Sequence, residues 1–127
     1  MLITQIFLAI GAVFAGIAVA GGAFAAHALR DHLSDRALTI FETGIRYQMY
    51  HALALLLVAV LLSRVELPPL TVTIAGYAFI IGIVIFSGSL YLLSLSGIKW
   101  LGAITPLGGV AFIVGWICLA IAAFQFK

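Results

Sequence analysis

The sequence predicts an all-α, polytopic membrane protein: a four-transmembrane-helix bundle with an amphipathic interfacial helix between the first and second spans. Three observations lead there. Apolar residues make up 65% of the 127 positions, and charged residues only 8%, against about 25% in an ordinary soluble domain. Three long stretches carry no charge at all. Each exceeds the roughly 20 apolar residues a helix needs to cross a hydrocarbon core of about 30 Å. The same composition excludes disorder, which needs low hydrophobicity. One cysteine excludes a disulfide scaffold. Six scattered Lys and Arg, offset by four acids, exclude a basic nucleic-acid surface.

A single integral membrane domain over residues 1–127 is expected, with spans at about 3–26, 45–63, 70–95 and 102–125. The first span ends in Ala23-Phe24-Ala25, which has the form of a cleavage site. It lacks a basic leader and its apolar run is too long for a signal peptide, so it reads as a retained helix. The second span differs from the others. Its uninterrupted apolar run, Ala52 to Leu62, has 11 residues and covers about half the core. The helix must therefore take Tyr47, Gln48, Met49, Tyr50 and His51 into or near the membrane. Arg46 belongs at the edge, because an Arg at the bilayer centre costs about 2.5–3.5 kcal/mol on the insertion scale.

Ser34 followed by Asp35 reads as a helix start, a cap followed by an acid at the positive end. From there Leu38, Phe41, Ile45 and Met49 form an apolar stripe. The segment 34–45 is expected to run along the interface and bend inward at Gly44. A single long helix leaving the membrane is the other reading. Pro68-Pro69 closes the next turn, and Gly97, Lys99 and Trp100 make the last loop. Loops one and three hold Arg30, Arg36, Arg46 and Lys99, the other side Arg64 and Lys127. The positive-inside rule then puts both termini outside a plasma (inner) membrane.

Small residues repeat at 3–4 residue spacing on three spans: Gly11, Ala15, Ala18, Gly22 and Ala25; Ala75, Ala78, Gly82 and Ser89; Gly108, Ala111, Gly115, Cys118 and Ala122. They read as the inner seams of a tight bundle, too apolar to line an open ion pore. Contacts to a membrane protein partner or a second copy through one seam remain open.

Two polar groups are candidate sites. The first joins His27 to Glu42, Arg46, Tyr47, Gln48, Tyr50 and His51. His27 and His51 are expected near one another, and Glu42 and Arg46 fall on one helix face. The group reads either as a ligand or lipid site or as a structural clamp. The second comprises Ser87, Ser89, Thr105, Pro106, Gly108 and Gly109. It reads as a helix start capped by Thr105 with a polar packing notch, or as a broken helix of the kind that marks ion sites. A metal site from His27, His32 and His51 lacks ligand spacing, and no cofactor is expected.

The motifs Gly22-Ala-Phe-Ala-Ala-His27, Phe41-Glu-Thr-Gly-Ile-Arg-Tyr-Gln-Met-Tyr-His-Ala-Leu-Ala54, Ser87-Gly-Ser-Leu-Tyr91, Gly102-Ala-Ile-Thr-Pro-Leu-Gly-Gly109 and Gly115-Trp116 occur in this order. The pattern covers nearly the whole chain. It resembles the YgdD/YwdK-like family of small bacterial inner-membrane proteins of unknown function, which has eukaryotic relatives. The resemblance implies a four-span plasma-membrane protein and brings no activity, substrate or cofactor. The residues favour a non-enzymatic binding or accessory protein in contact with membrane lipids. A small oligomeric transporter or proton-coupled carrier, working through Arg46, Tyr47 and His51, is the alternative.

Overall fold

The computed structural model describes residues 2–127. It contains four long helices, and none of the described residues is in a strand. We number them α1 (Leu2–Leu29), α2 (Asp35–Ser63), α3 (Leu70–Ser96) and α4 (Lys99–Ala122), all long and apolar enough to cross a membrane. Two contain a wide π turn, Gly21–Ala25 in α1 and Ile83–Ser87 in α3, and α4 opens with a 3-10 turn, Lys99–Ala103. Ser34 caps α2 by accepting from the Ala37 N–H at 3.1 Å, and Gly97 ends α3 in the left-handed conformation, φ 72°.

The segment expected to form a separate interfacial helix is instead the first part of α2. The helix runs unbroken from Asp35 to Ser63. Its 29 residues reach about 44 Å at 1.5 Å each, longer than the hydrocarbon core. Gly44 lies within this unbroken helix, and its backbone is bonded from α3. The Tyr91 ring lies where a Gly44 side chain would be, and the Gly44 carbonyl accepts from Ser87 Oγ at 2.6 Å.

The four helices are not equivalent. α1 packs mainly on α2, α4 mainly on α3, and α2 and α3 on each other. The central pair is therefore more deeply covered than the outer two. Lipid offers no hydrophobic drive for helix association, so shape complementarity has to hold the bundle. It does so largely through aromatic rings seated on glycines of a neighbouring helix. Phe7 lies over Gly76, Phe79 over Gly115, Phe112 over Gly82 and Tyr91 over Gly44. Two of these sockets, Gly82 and Gly115, belong to the small-residue seams; Gly44 and Gly76 lie outside them, and seam residue Gly11 meets Leu56 and the Ala52 carbonyl instead.

Gly108 is the clearest exception. A Cβ there would lie 2.4 Å from the backbone nitrogen of Phe86, in the wide turn of α3. Backbone cannot yield as a side-chain tip does. Gly108→Ala should therefore destabilise the protein by about 1–3 kcal/mol, as overpacked cores do. Gly16→Ala, on open space in α1, should be neutral or stabilising by up to about 1 kcal/mol, since Ala is the better helix former. Unfolding in graded denaturing detergent separates the two, and equal stabilities would contradict the backbone contact.

Candidate functional site

The interior divides along the membrane normal. On the side of the chain termini the core is apolar: Phe7, Leu55, Val58, Leu62, Val72 and Phe79 are almost fully buried. Towards loops one and three the buried set becomes polar: Gln48, His51, Ser87, Ser89, Ser94 and Thr105. The sharp polarity change follows from α2. Its apolar run ends at Ala52, and the face continuing inward carries His51, Gln48 and Gly44 at three- and four-residue spacing.

Gln48 joins three helices. Its Nε2 donates to the Phe14 carbonyl of α1 at 2.8 Å, and its Oε1 accepts from the Tyr91 hydroxyl of α3 at 2.7 Å. Next to it, Ser87 Oγ donates to the Gly44 carbonyl. On the other face of α3, Ser89 Oγ and Thr105 Oγ1 lie 2.6 Å apart and tie α3 to α4. The Thr105 hydroxyl is thus used between helices and does not cap α4. Pro106 sits in the first turn of the α-helical part of α4, Thr105–Ala122, which follows the 3-10 turn, where its missing N–H leaves no gap in the ladder. Gly109 is half-buried beside the Phe86 ring.

His51 is held from both nitrogens. Nδ1 lies 2.7 Å from the Tyr47 carbonyl, and Nε2 lies 3.1 Å from Nε1 of Trp116. A carbonyl only accepts and an indole N–H only donates, so the two partners select the tautomer with hydrogen on Nδ1. The imidazole also lies flat on Phe112, centroids 3.5 Å apart and planes 8° from parallel. Tyr47 continues the aromatic layer, packing on Phe86 with centroids 4.6 Å apart and planes tilted by 33°, while the residue stays 39% exposed.

The first sequence cluster therefore splits in two. Gln48 and His51 turn inward with part of Tyr47, whereas Glu42, Arg46 and Tyr50 are exposed. Arg46 is two residues from Gln48, about 200° around the helix. It shares the outer face with Leu53, Leu57 and Val60, which are exposed as well. His27 is exposed and does not approach His51. Gln48 meets α1 at Phe14, and His27 is 13 residues further along that helix, about 20 Å at 1.5 Å per residue. No group of three His, Cys, Asp or Glu among the described residues could hold a metal ion.

Sequence reasoning missed Tyr91 and Trp116 as partners, and with them the carbonyls of Phe14 and Gly44. Both side chains stand in quoted motifs, so the signal was present as a pattern. The pairing was not, because the partners are 34 to 65 residues apart.

Four apolar helices around an internally bonded polar clamp define a small multi-pass membrane protein. Residues 21–109 match the model of a family described as protein of unknown function (DUF423). The UPF0382 membrane protein YwdK of Bacillus subtilis is 48% identical over 122 residues, covering 96% of this chain and 98% of that protein. The UPF0382 membrane proteins of Staphylococcus aureus (SAB0533) and Staphylococcus epidermidis are 48% and 47% identical over the same shares. The chain belongs to this DUF423/UPF0382 family of membrane proteins. No solved structure matches it.

A double-mutant cycle between Gln48→Leu and Tyr91→Phe should give a coupling energy of about 0.6–1.7 kcal/mol, from the average to the maximum found for hydrogen bonds between membrane helices. Additive effects of the two substitutions would mean that the contact does not form.

Proposed function

We propose that this protein works by contact within the plasma membrane, holding lipid or a partner helix against the outer face of α2. It is neither an enzyme nor a carrier in this reading. One observation carries it: every buried side-chain nitrogen and oxygen among the described residues has a hydrogen-bond partner inside the protein. The polar interior is a closed clamp, with no group left over to take up a substrate. A carrier needs interior polar groups that exchange partners with water from each side in turn. Here Gln48, Ser87, Ser89 and Thr105 are engaged with one another's helices, and His51 with Trp116.

What remains for function lies outside. Glu42, Arg46 and Tyr50 are exposed on α2 and run directly into exposed Leu53 and Leu57. A basic and an aromatic side chain just before an apolar face is the arrangement that meets headgroups and acyl chains together. With the positive-inside rule, loops one and three and this polar end of α2 face the cytoplasm, and both termini lie outside. The first turns of α2 then pass through the cytoplasmic interface.

Native mass spectrometry from mild detergent tests the reading. The wild type should retain a defined lipid or partner, and Arg46→Gln with Tyr50→Ala should lose part of it without a change in helix content. An unliganded species, identical in wild type and variant, would overturn the proposal.

A further inference from the structure

The end of the bundle that carries loops one and three holds a cavity of about 570 Å³, within the range of small-molecule sites. It lies between the start of α2 and the turn from α3 into α4. Two cations line it from different helices, Arg36 on α2 and Lys99 at the start of α4. Two hydroxyls line it as well, Ser34 and Ser94, and its floor includes Ile40 and Leu93. No acid is part of the lining, although exposed Asp35 stands between Ser34 and Arg36 in the first turn of α2.

The geometry points to a binding site for an anionic phosphate ester, with Arg36 and Lys99 as its charged partners. The inference rests on the lipid-contact reading and gives it a headgroup class and a place. Several features converge. Arg36 presents a planar fork suited to phosphate oxygens, and Lys99 a point charge. The oxygen of Ser34 accepts from Ala37 N–H, so its hydroxyl hydrogen is available to donate outward. The cavity opens at the start of a 29-residue helix, whose first turn places Ser34 and Arg36 in its lining. Gly97, with nothing within 4 Å of a would-be Cβ, leaves one wall without a side chain. Exposed Trp100 follows Lys99 directly, which sets the cavity at the headgroup level. The cavity at the opposite end contrasts with it. That one, about 700 Å³, is lined mainly by apolar residues with Lys127 as its one cation.

The chemistry fits two sources, the phosphate of an anionic lipid and a soluble phosphate ester. Protein reconstituted in mixed phosphatidylglycerol and phosphatidylcholine nanodiscs, then released for native mass spectrometry, separates them. Wild type should retain phosphatidylglycerol over phosphatidylcholine. Arg36→Gln with Lys99→Gln should lose that preference by about fivefold for each cation removed, the near-surface worth of a basic residue against anionic lipid. Lys127→Gln should leave it unchanged. Circular dichroism checks that the variants stay helical. Displacement by millimolar glycerol phosphate would mark the soluble ester as the ligand; no displacement would mark the lipid. Equal phosphatidylglycerol preference in wild type and the Arg36/Lys99 variant overturns this site while leaving lipid contact standing. No lipid on any form overturns both.

Discussion

A carboxamide inside a membrane helix must find partners in the protein, and Gln48 is the residue on which this architecture turns. In hydrocarbon there is no water to take up an idle N–H or C=O, and each one left bare costs several kcal/mol. Gln48 meets that demand by donating to α1 and accepting from α3. Much of the local geometry follows. The Tyr91 ring must cross α2 to bring its hydroxyl to Gln48, so the position beneath it, Gly44, has no room for a side chain. Ser87 bonds the Gly44 carbonyl beside it, so α3 meets α2 through the backbone at this point as well as through the Tyr91 ring.

The outer helix α4 is attached by a different balance of forces. Its contacts are mostly ring against glycine, with the Ser89–Thr105 hydroxyl pair as a polar pin. His51 belongs to this side. It stacks on Phe112 and accepts from Trp116, so α2 touches α4 through aromatic side chains that span the gap between two helices with little direct packing. Interhelical hydrogen bonds in membranes average about 0.6 kcal/mol each, too little to fix a bundle singly. Specificity comes from their being clustered in one half of the interior, while the other half packs Phe7, Leu55, Val58 and Phe79 without any polar group.

The four helices were legible in the sequence because length and absence of charge suffice to define a span. The continuity of α2 was not. The apolar stripe of residues 38–49 and the apolar run after it are compatible with a bend or with a straight helix. The structure has one unbroken helix, and the contacts packed against Gly44 come from Ser87 and Tyr91, 43 and 47 residues further along the chain. The polar cluster was found as a stretch of chain but not divided. Helical periodicity separates Arg46 from Gln48, yet it does not say which of them faces a neighbour until the neighbours are placed. The approach of His27 to His51 failed for a related reason. Sharing one end of two adjacent helices does not place two residues at one depth. Small-residue spacing picked out Gly82, Gly108 and Gly115 but not Gly44 or Gly76, and the rings that fill four of these positions lie on other helices with no local signature.

The bonded polar groups of this protein therefore lie inside the bundle, and its unpaired surface lies outside. Interior polar groups serve one another, which leaves the exposed face of α2 and the cationic cavity beside its first turn to meet the surroundings. The Gln48 side chain is engaged at both its nitrogen and its oxygen within the bundle. Hydrogen–deuterium exchange of the glutamine side-chain amides, followed by NMR in micelles, tests this most directly. Gln48 should exchange far more slowly than exposed Gln125. Equal exchange at the two positions would mean that water reaches the clamp, and would return the interior to consideration as a pathway.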